Sequence, residues 1–291
     1  MITRNGQIAW VNERGRIIVS SAEGAPPTFG RRVAVHVKGS LWTGGERGLA
    51  RLDGRHWKRW PGIDWRVVAM AVGPDEGLWV AGVAGGSSGE PRIAKIDPAH
   101  GSVADVSHGL PRDGMINAIA VAPDGTLWVA LGRAYWDGWK RGSGPRSLAR
   151  FDGTWTFHRP GEGSPVEGVI GDSGLAVTPD GAVWAAVQSA DPEDWAITRF
   201  DGKTWTTYRN GDGPLTGRLS VLTTSPDGAL WVGSCAGPAG GISSFAEGVW
   251  SQDPIGCVFS LTVTDHPTVW AEAWSGMMML TPPQPIGAFG E

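Results

Sequence analysis

The sequence predicts an all-β protein, a seven-bladed β-propeller whose blades are four-stranded antiparallel sheets. A short strand marked by tryptophan, DGTLWVA at 124–130, returns in variant form along the whole chain. The marking tryptophans recur at intervals of 32 to 56 residues, a period that is typical of propellers. After each of the clearest copies, an alternating segment ends in Asp-Gly, the favoured turn of a tight hairpin.

The repeat has four parts, which predict the four strands of one blade. An apolar run such as INAIAVA (116–122) leads through Pro-Asp-Gly into the tryptophan strand. A loop of variable length then precedes an alternating strand (SLARFDG, 147–153) and a second aromatic strand (TWTFH, 154–158). The marking tryptophans are Trp10, Trp42, Trp79, Trp128, Trp184, Trp231 and Trp270. Because blades lean on their neighbours, the whole chain is predicted to form one domain.

The predicted blades occupy about 1–30, 31–65, 66–114, 115–172, 173–217, 218–256 and 257–291. The first is counted because its tryptophan strand and the next one are both followed by Glu-Arg-Gly, at 13–15 and 46–48. Its innermost strand would be only Met1–Arg4, so the C-terminal segment 285–291 is expected to pad or close the ring. Six blades plus an N-terminal hairpin is the alternative.

Composition supports a large core and excludes several kinds of partner. Of the 291 residues, 41% are hydrophobic and 17 are tryptophan. The net charge of −4 and the scattered Lys and Arg residues argue against nucleic acid. No apolar run approaches the length of a membrane span and no signal peptide opens the sequence. We therefore expect a cytoplasmic monomer that does not bind membranes, or a propeller cut from a longer exported chain.

Two cysteines are placed where adjacent blades meet. Cys235 closes the sixth tryptophan strand and Cys257 opens the next innermost strand. These strand ends lie on the same face of adjacent blades, so a disulfide is geometrically possible. Two buried thiols are the favoured interpretation, because cysteine is often buried as a plain hydrophobe.

The order of the connections predicts where the site lies. In a four-stranded blade, the first-to-second and third-to-fourth connections share one face, and the remaining connections share the other. The first set is predicted to be tight turns, so every long insertion emerges on one face, the long-loop face. Loops on a rigid scaffold commonly carry binding and catalysis, which indicates a site on this face around the channel mouth.

Aromatic residues outside the repeat positions are candidates for ligand contact. They are Trp65, Tyr135, Trp136, Trp139, Trp195 and Trp274. Their rings suit stacking on a sugar, a planar metabolite or a peptide side chain. The alternative is that they fold back and fix their own loops.

Arginines at the starts of innermost strands are candidates for anion binding. Arg32, Arg66 and Arg218 would ring the channel mouth and attract a carboxylate, phosphate or enolate. Arg112 and Asp113 lie on the same face and are further ligand-binding candidates. The alternative for the arginines is pairing with nearby acids.

Glu272 breaks the pattern of its own repeat. Two residues after the tryptophan, the other copies carry Gly44, Ala81, Ala130, Ala186 and Gly233. A glutamate at this position predicts either a general base or an ion pair. His108, the one histidine predicted on the long-loop face, is the second catalytic candidate. No cofactor is predicted, and a divalent metal in the channel stays an open alternative.

Two family resemblances follow from these motifs. The pattern DG-x-x-W followed by G-L-x-R-x-DG resembles the two-component-regulator propeller repeat of bacterial sensor ectodomains, over nearly the whole chain. A weaker resemblance is to the virginiamycin B lyase family, seven-bladed propellers with a comparable DG-x-x-W strand. It implies a metal-assisted elimination, for which Glu272 and His108 are the analogues. That family's Trp-Phe-Thr-Glu strand and Pro-His strand opening are missing from this sequence.

The sequence therefore predicts a propeller that binds a partner at the long-loop face and channel mouth. The partner would be a protein or a small molecule such as a sugar, organic acid or natural product. One alternative is an enzyme of the lyase or cyclase type, acting on an anionic or polycyclic metabolite at the same place. Another is a purely structural protein-interaction module.

Overall fold

The computed structural model describes residues 8–11, 17–20, 33–37, 39–53, 56–85, 89–112, 115–132, 147–159, 169–188, 195–209, 217–236, 239–263, 269–273 and 276–280. The chain divides into two compact units, Met1–Pro145 with Ala149–Phe157, and Arg146–Leu148 with His158–Glu291. Within the described ranges all regular structure is β-strand, and no helix there could cross a membrane.

Unit 1 contains the first strands of the chain. They are β1 (Ile8–Val11), β2 (Ile17–Ser20), β3 (Val33–Val37), β4 (Ser40–Gly45), β5 (Gly48–Asp53), β6 (His56–Arg59), β7 (Arg66–Val72), β8 (Leu78–Ala84), β9 (Glu90–Ile96), β10 (Val103–Asp105), β11 (Ile116–Val121), β12 (Leu127–Leu131) and most of β13 (Ser147–Phe151) and β14 (Trp155–His158).

Unit 2 contains the remaining strands. They are β15 (Val169–Val177), β16 (Val183–Gln188), β17 (Trp195–Phe200), β18 (Trp205–Arg209), β19 (Arg218–Thr224), β20 (Leu230–Cys235), β21 (Ile242–Ala246), β22 (Val249–Asp253), β23 (Val258–Val263), β24 (Val269–Ala273) and β25 (Gly276–Leu280).

Five sheets have the predicted four-stranded meander, in which neighbours along the chain are neighbours in the sheet. They are β3–β6, β7–β10, β11–β14, β15–β18 and β19–β22. The pairs for which a register is assigned are antiparallel, and β23–β25 forms a three-stranded sheet and β1–β2 a two-stranded one. The four-part repeat is thus confirmed. The seven-blade count stays a prediction, because residues 1–7 and 281–291 lie outside the described part of the chain.

The marking tryptophan lies on the second strand of each four-stranded sheet and is buried. The exposed fraction is 0% for Trp42, 4% for Trp79, 2% for Trp184 and 5% for Trp231. Apolar residues of neighbouring sheets pack around these rings within each unit. The tryptophan strand is therefore the buried centre of its sheet.

A cation from the third strand covers the face of several of these tryptophans. The pleat places the two side chains directly opposite each other, in the pairs Trp42 with Arg51, Trp79 with Lys95 and Trp184 with Arg199. The charged groups lie 5.6, 5.2 and 5.5 Å from the respective ring centroids. A cation over the negative face of an indole ring is attracted to it. This explains why the repeat carries Arg or Lys two residues before Asp-Gly or an equivalent turn.

The Pro-Asp-Gly turn completes this arrangement in the sheet β15–β18. Asp180 pairs with Arg199 at 3.2 Å. The Thr178 hydroxyl donates to Asp180 at 2.5 Å and accepts the indole N–H of Trp184 at 3.2 Å. Burial would raise the pKa of Asp180, but the hydrogen bonds from Thr178 and from the Ala182 amide, together with Arg199, hold that pKa below its usual value.

The same turn varies in other sheets. Ser225 takes the role of Thr178 and accepts the indole N–H of Trp231 at 3.2 Å. At the equivalent position Gly73 offers no hydroxyl, and the buried indole N–H of Trp79 has no hydrogen-bond partner among the described residues. A Ser or Thr before Pro-Asp-Gly therefore satisfies a buried donor that a glycine leaves unpaired.

The third-to-fourth connections are tight Asp-Gly hairpins in most sheets. In Asp201-Gly202, the carboxylate accepts the amides of Thr204 and Lys203, which lowers the pKa of Asp201 to about 2. The expectation of tight turns was wrong for β9–β10, whose connection runs over 97–102. Sequence there reads Asp-Pro-Ala-His-Gly-Ser, and Asp97 holds the turn by accepting from the Ala99 amide at 2.8 Å.

Small residues two positions after the tryptophan let neighbouring sheets approach. A Cβ on Gly44 would lie 2.3 Å from Cγ1 of Val67 on the first strand of the next sheet. A Cβ on Gly233 would lie 2.8 Å from Cγ1 of Val258 in the same relation. Since real Cβ contacts are not this short, β4 and β20 require glycine here, while β8, β12 and β16 carry a buried alanine at the same position, which gives the repeat's small-residue rule a physical cause.

We expect Arg199→Ala to destabilise the protein by about 1 kcal/mol, because it removes both the cation over Trp184 and the partner of Asp180. The measurement is the free energy of unfolding from urea denaturation. Lys203→Ala, an exposed cation in the turn of the same sheet, is the control and should change stability by less than about 0.5 kcal/mol. Equal effects of the two substitutions would contradict the role given to Arg199.

Candidate functional site: the loop edges

One edge of each four-stranded sheet, here called the loop edge, carries the longest connections. It is the edge where the second strand ends and the third begins, and where the first strand starts and the fourth stops. The connections at this edge include 106–115, 132–146, 159–168 and 210–217. At the opposite edge the first and second strands are joined by short turns such as 122–126. This is the edge at which the sequence predicts a site.

In unit 1, Arg66 at the start of β7 is held by an acid of the preceding sheet. Its Nε lies 3.1 Å from Oε1 of Glu46, in the turn between β4 and β5. The side chain of Arg66 is 28% exposed and that of Glu46 is 42% exposed. The structure thus shows the ion-pair alternative for Arg66, with both groups still open to solvent at the loop edge.

A second charged group lies at the loop edge of β7–β10. Arg92 reaches Asp105 at 3.2 Å and Glu90 at 3.5 Å. Arg112, in the connection from β10 to β11, approaches Glu90 only to 3.9 Å and its side chain is 91% exposed. Arg112 therefore remains available to a partner, since a long, exposed ion pair is weak.

The other unit 1 candidates occupy different environments. His108 is exposed in the connection from β10 to β11. Trp65 is half-buried and packs on the apolar cluster around Trp42. Its ring lies against the backbone of Gly82, where a Cβ would fall 2.8 Å from Cζ3 of Trp65. Trp65 thus folds back on its own unit, although part of it stays exposed.

In unit 2, Trp195 is the first residue of β17 and is 3% exposed within the cluster around Trp184. Trp195 is therefore a core residue of its own unit, which agrees with the alternative that such tryptophans pack against their own sheets. Arg218 is exposed at the start of β19, in register with Cys235 at the end of β20. Arg218 is therefore the basic candidate at the loop edge of this unit.

Cys235 and Cys257 form a disulfide, with their Cα atoms 4.0 Å apart. The favoured interpretation of two buried thiols was wrong. The bond links the end of β20 to the residue before β23, so two neighbouring sheets are covalently joined at the loop edge. The tight backbone there is consistent with this, since the Gly256 amide donates to the Gly240 carbonyl at 2.9 Å.

Glu272 lies in β24, in register with Ser260 of β23 and Met277 of β25. Its position corresponds to Gly44 and Gly233, where a Cβ would meet the next sheet, and to the buried alanines Ala81, Ala130 and Ala186. Glu272 thus departs from the small residues found at this position in the four-stranded sheets.

The remaining candidates lie outside the described residues. They are Arg32, Asp113, Tyr135, Trp136, Trp139 and Trp274. Within the described part of the chain, no three His, Cys, Asp or Glu side chains are grouped so that they could hold a metal ion.

A bulge that was not predicted from the sequence recurs near the start of the first strand. One extra residue interrupts the register in four sheets, at Val68, Asn117, Ser220 and Phe259. In β15 the interruption spans 171–174. Bulges aim side chains away from the regular pleat and are frequent near active sites. The glycines of GDSG (171–174) were the one available signal.

Comparison with known proteins identifies the architecture. A gluconolactonase from Xanthomonas campestris superposes with a TM-score of 0.53 at 15% identity, over 84% of this chain and 82% of that one. A luciferin-regenerating enzyme matches with a TM-score of 0.51 at 15% identity, over 80% of each chain. The extracellular domain of a protein described as a hybrid two-component system from B. thetaiotaomicron gives 0.58 at 13% identity, over 94% of this chain and 37% of that one.

The fold is that of a β-propeller. At these identities the likeness shows the fold alone, and it agrees with the resemblance to two-component-regulator propellers. It gives no support to the resemblance to virginiamycin B lyases. No protein-family model and no curated protein sequence matches the chain.

We expect reduction of the disulfide, or the Cys235→Ser/Cys257→Ser double substitution, to lower the free energy of unfolding by about 3 kcal/mol. This follows from the chain entropy of a loop whose ends are 22 residues apart. Urea denaturation with and without reductant measures it. The double variant is the control, because reductant should not destabilise it further. An unchanged stability on reduction of the parent protein would contradict a structural role for the bond.

Proposed function

We propose that this propeller binds a small molecule or a partner protein at its loop edges. The observation that carries the proposal is the concentration of long connections at one edge of the sheets, while the opposite edge joins its first and second strands by short turns. A rigid scaffold that confines its variable loops to one edge is the usual arrangement of a binding site.

Exposed arginines at the loop edges favour an anionic ligand. Arg66 and Arg112 in unit 1 and Arg218 in unit 2 all reach solvent there. Guanidinium groups present paired donors that suit a carboxylate or phosphate. An anion that displaced Glu46 from Arg66 would exchange one exposed ion pair for another, at small cost.

A second candidate function is an enzyme, with Glu272 as general base. The exception to the small-residue rule at Glu272 favours it, since Gly44 and Gly233 show how little space that position has in the other sheets. Two of the structural neighbours are called a gluconolactonase and a luciferin-regenerating enzyme, so propellers of this kind do act on small molecules. The substrate would be an anionic or polycyclic metabolite or a lactone, turned over by proton abstraction.

The disulfide indicates the kind of cellular compartment in which the domain is found. Disulfides persist in oxidising surroundings and are rare in the cytosol. We therefore propose an exported location for this domain in place of the predicted cytoplasmic one.

A thermal-shift screen tests the proposed function. The compounds are sugars, glucono-1,5-lactone, organic acids, divalent metals and macrocyclic metabolites. A ligand at 100 times its dissociation constant should stabilise the fold by about 2.7 kcal/mol, which raises the melting temperature measurably. We expect at least one class to do so.

Substitutions then separate the two functions. An enzyme with Glu272→Gln should lose turnover of the hit compound while it still binds, whereas a binder should lose affinity or nothing. Glu247→Gln, in the exposed turn between β21 and β22 at the opposite edge, is the matched control and should behave as the parent. A screen without a hit in any class would contradict small-molecule binding and leave a protein partner or a structural module.

A further inference from the structure

The first strands of neighbouring sheets in unit 2 are irregular at corresponding positions. Ser220 is the extra residue of β19 and Phe259 is the extra residue of β23. In β15 the interruption takes four residues, 171–174. Because these strands are neighbours, their bulges lie side by side near the loop edge. The backbone around these interruptions is here called the bulge corner.

The bulge corner is firmly held. The Ser220 hydroxyl lies 2.5 Å from the carbonyl oxygen of Val258 and 2.9 Å from that of Gly233, and it donates its single proton to one of them at a time. Val258 itself is fully buried. The disulfide of Cys257 closes the same corner from the preceding residue. The backbone that carries Phe259 is thus fixed by side-chain, packing and covalent contacts.

Phe259 is nevertheless partly exposed. It is 40% exposed, whereas Val258 and Leu261 on the same strand are 0% and 7% exposed. The exposed large hydrophobic residues among the described part of the chain are Val72, Val103, Val249 and Phe259, so Phe259 is the aromatic member of that set. An aromatic ring held at the surface by a bulge is oriented without further loss of chain entropy on binding.

Arg218 lies on β19, the first strand next to β23. It precedes the bulge of β19 by two residues and is in register with Cys235, whose sulfur is bonded to Cys257, two residues before Phe259. Arg218 is exposed at this point. The bulge corner therefore brings an exposed guanidinium and an exposed ring onto adjoining first strands.

We propose that the bulge corner is a contact site for a planar aromatic carboxylate. The aromatic part of the ligand stacks on Phe259 and its carboxylate pairs with Arg218. The inference rests on the proposed function and specifies the ligand class and residues in unit 2. Neither Phe259 nor the bulges were identified by the sequence.

The experiment uses two probes with the same ring system, 2-naphthoate and the neutral 2-naphthylmethanol. Dissociation constants are measured by ligand-observed NMR titration of the full chain. We expect Phe259→Ala to weaken the binding of both probes about fivefold. Arg218→Gln should weaken 2-naphthoate about tenfold and leave 2-naphthylmethanol unchanged.

Two matched substitutions control for general surface effects. Val249→Ala removes an apolar side chain that is 65% exposed on the outer strand of the same sheet as Arg218, and Lys203→Gln removes an exposed cation from a turn at the opposite edge. Both variants should bind the probes as the parent does, and all variants should keep the parent's circular dichroism spectrum.

Failure of 2-naphthoate to bind, or unchanged binding by either Phe259→Ala or Arg218→Gln, overturns the inference. A different outcome would refute the proposed function. A compound that stabilises the protein in the thermal-shift screen and is insensitive to Phe259→Ala refutes the bulge corner alone, whereas a screen without a hit refutes small-molecule binding itself.

Discussion

The buried tryptophan of the second strand is the residue on which the rest of each four-stranded sheet depends, and over Trp42, Trp79 and Trp184 a cation also covers the ring. In β15–β18 it joins two strands and a turn, because Trp184 contacts Arg199, Arg199 pairs with Asp180, and Thr178 bonds both Asp180 and the indole. This fixes which residues face each other across the sheet.

The packing between sheets adds a second constraint. Gly44 and Gly233 lie directly under the first strand of the next sheet, which leaves no space for a side chain. The first strands beside Gly233 each carry a surplus residue, of which Phe259 is exposed and Ser220 bonds the backbone carbonyl oxygens of Gly233 and Val258. A second strand without space for a side chain is therefore found together with a bulged first strand near the loop edge.

Much of the fold was accessible from the sequence because its signals are local and repeated. Tryptophan, Pro-Asp-Gly and Asp-Gly each act within a few residues, and they predicted the strands and hairpins of five sheets. The exception at 97–102 arose where the chain lacks Asp-Gly. The disulfide was judged less favoured than two thiols, because the distance between Cys235 and Cys257 depends on the approach of two sheets and not on either strand alone. The bulge at Phe259 depends on register, for which an isolated strand gives no signal.

The site was less predictable than the fold. Trp65 and Trp195 look alike in the sequence as loop-edge aromatics, yet the first is half-buried over Gly82 and the second is fully in the core. Burial of a single ring depends on the shape of its neighbours, which composition does not specify. Arg66 shows the same point for charge, since its partner Glu46 comes from another sheet.

Hydrogen–deuterium exchange of the native protein tests most directly whether the tryptophan strands are the centres of the sheets. We expect the amides of β8, β12, β16 and β20 to exchange slowest and those of the outer strands β6, β14, β18 and β22 to exchange fastest, because protection follows burial. Equal protection of the outer strands, or early exchange of the tryptophan strands, would contradict it.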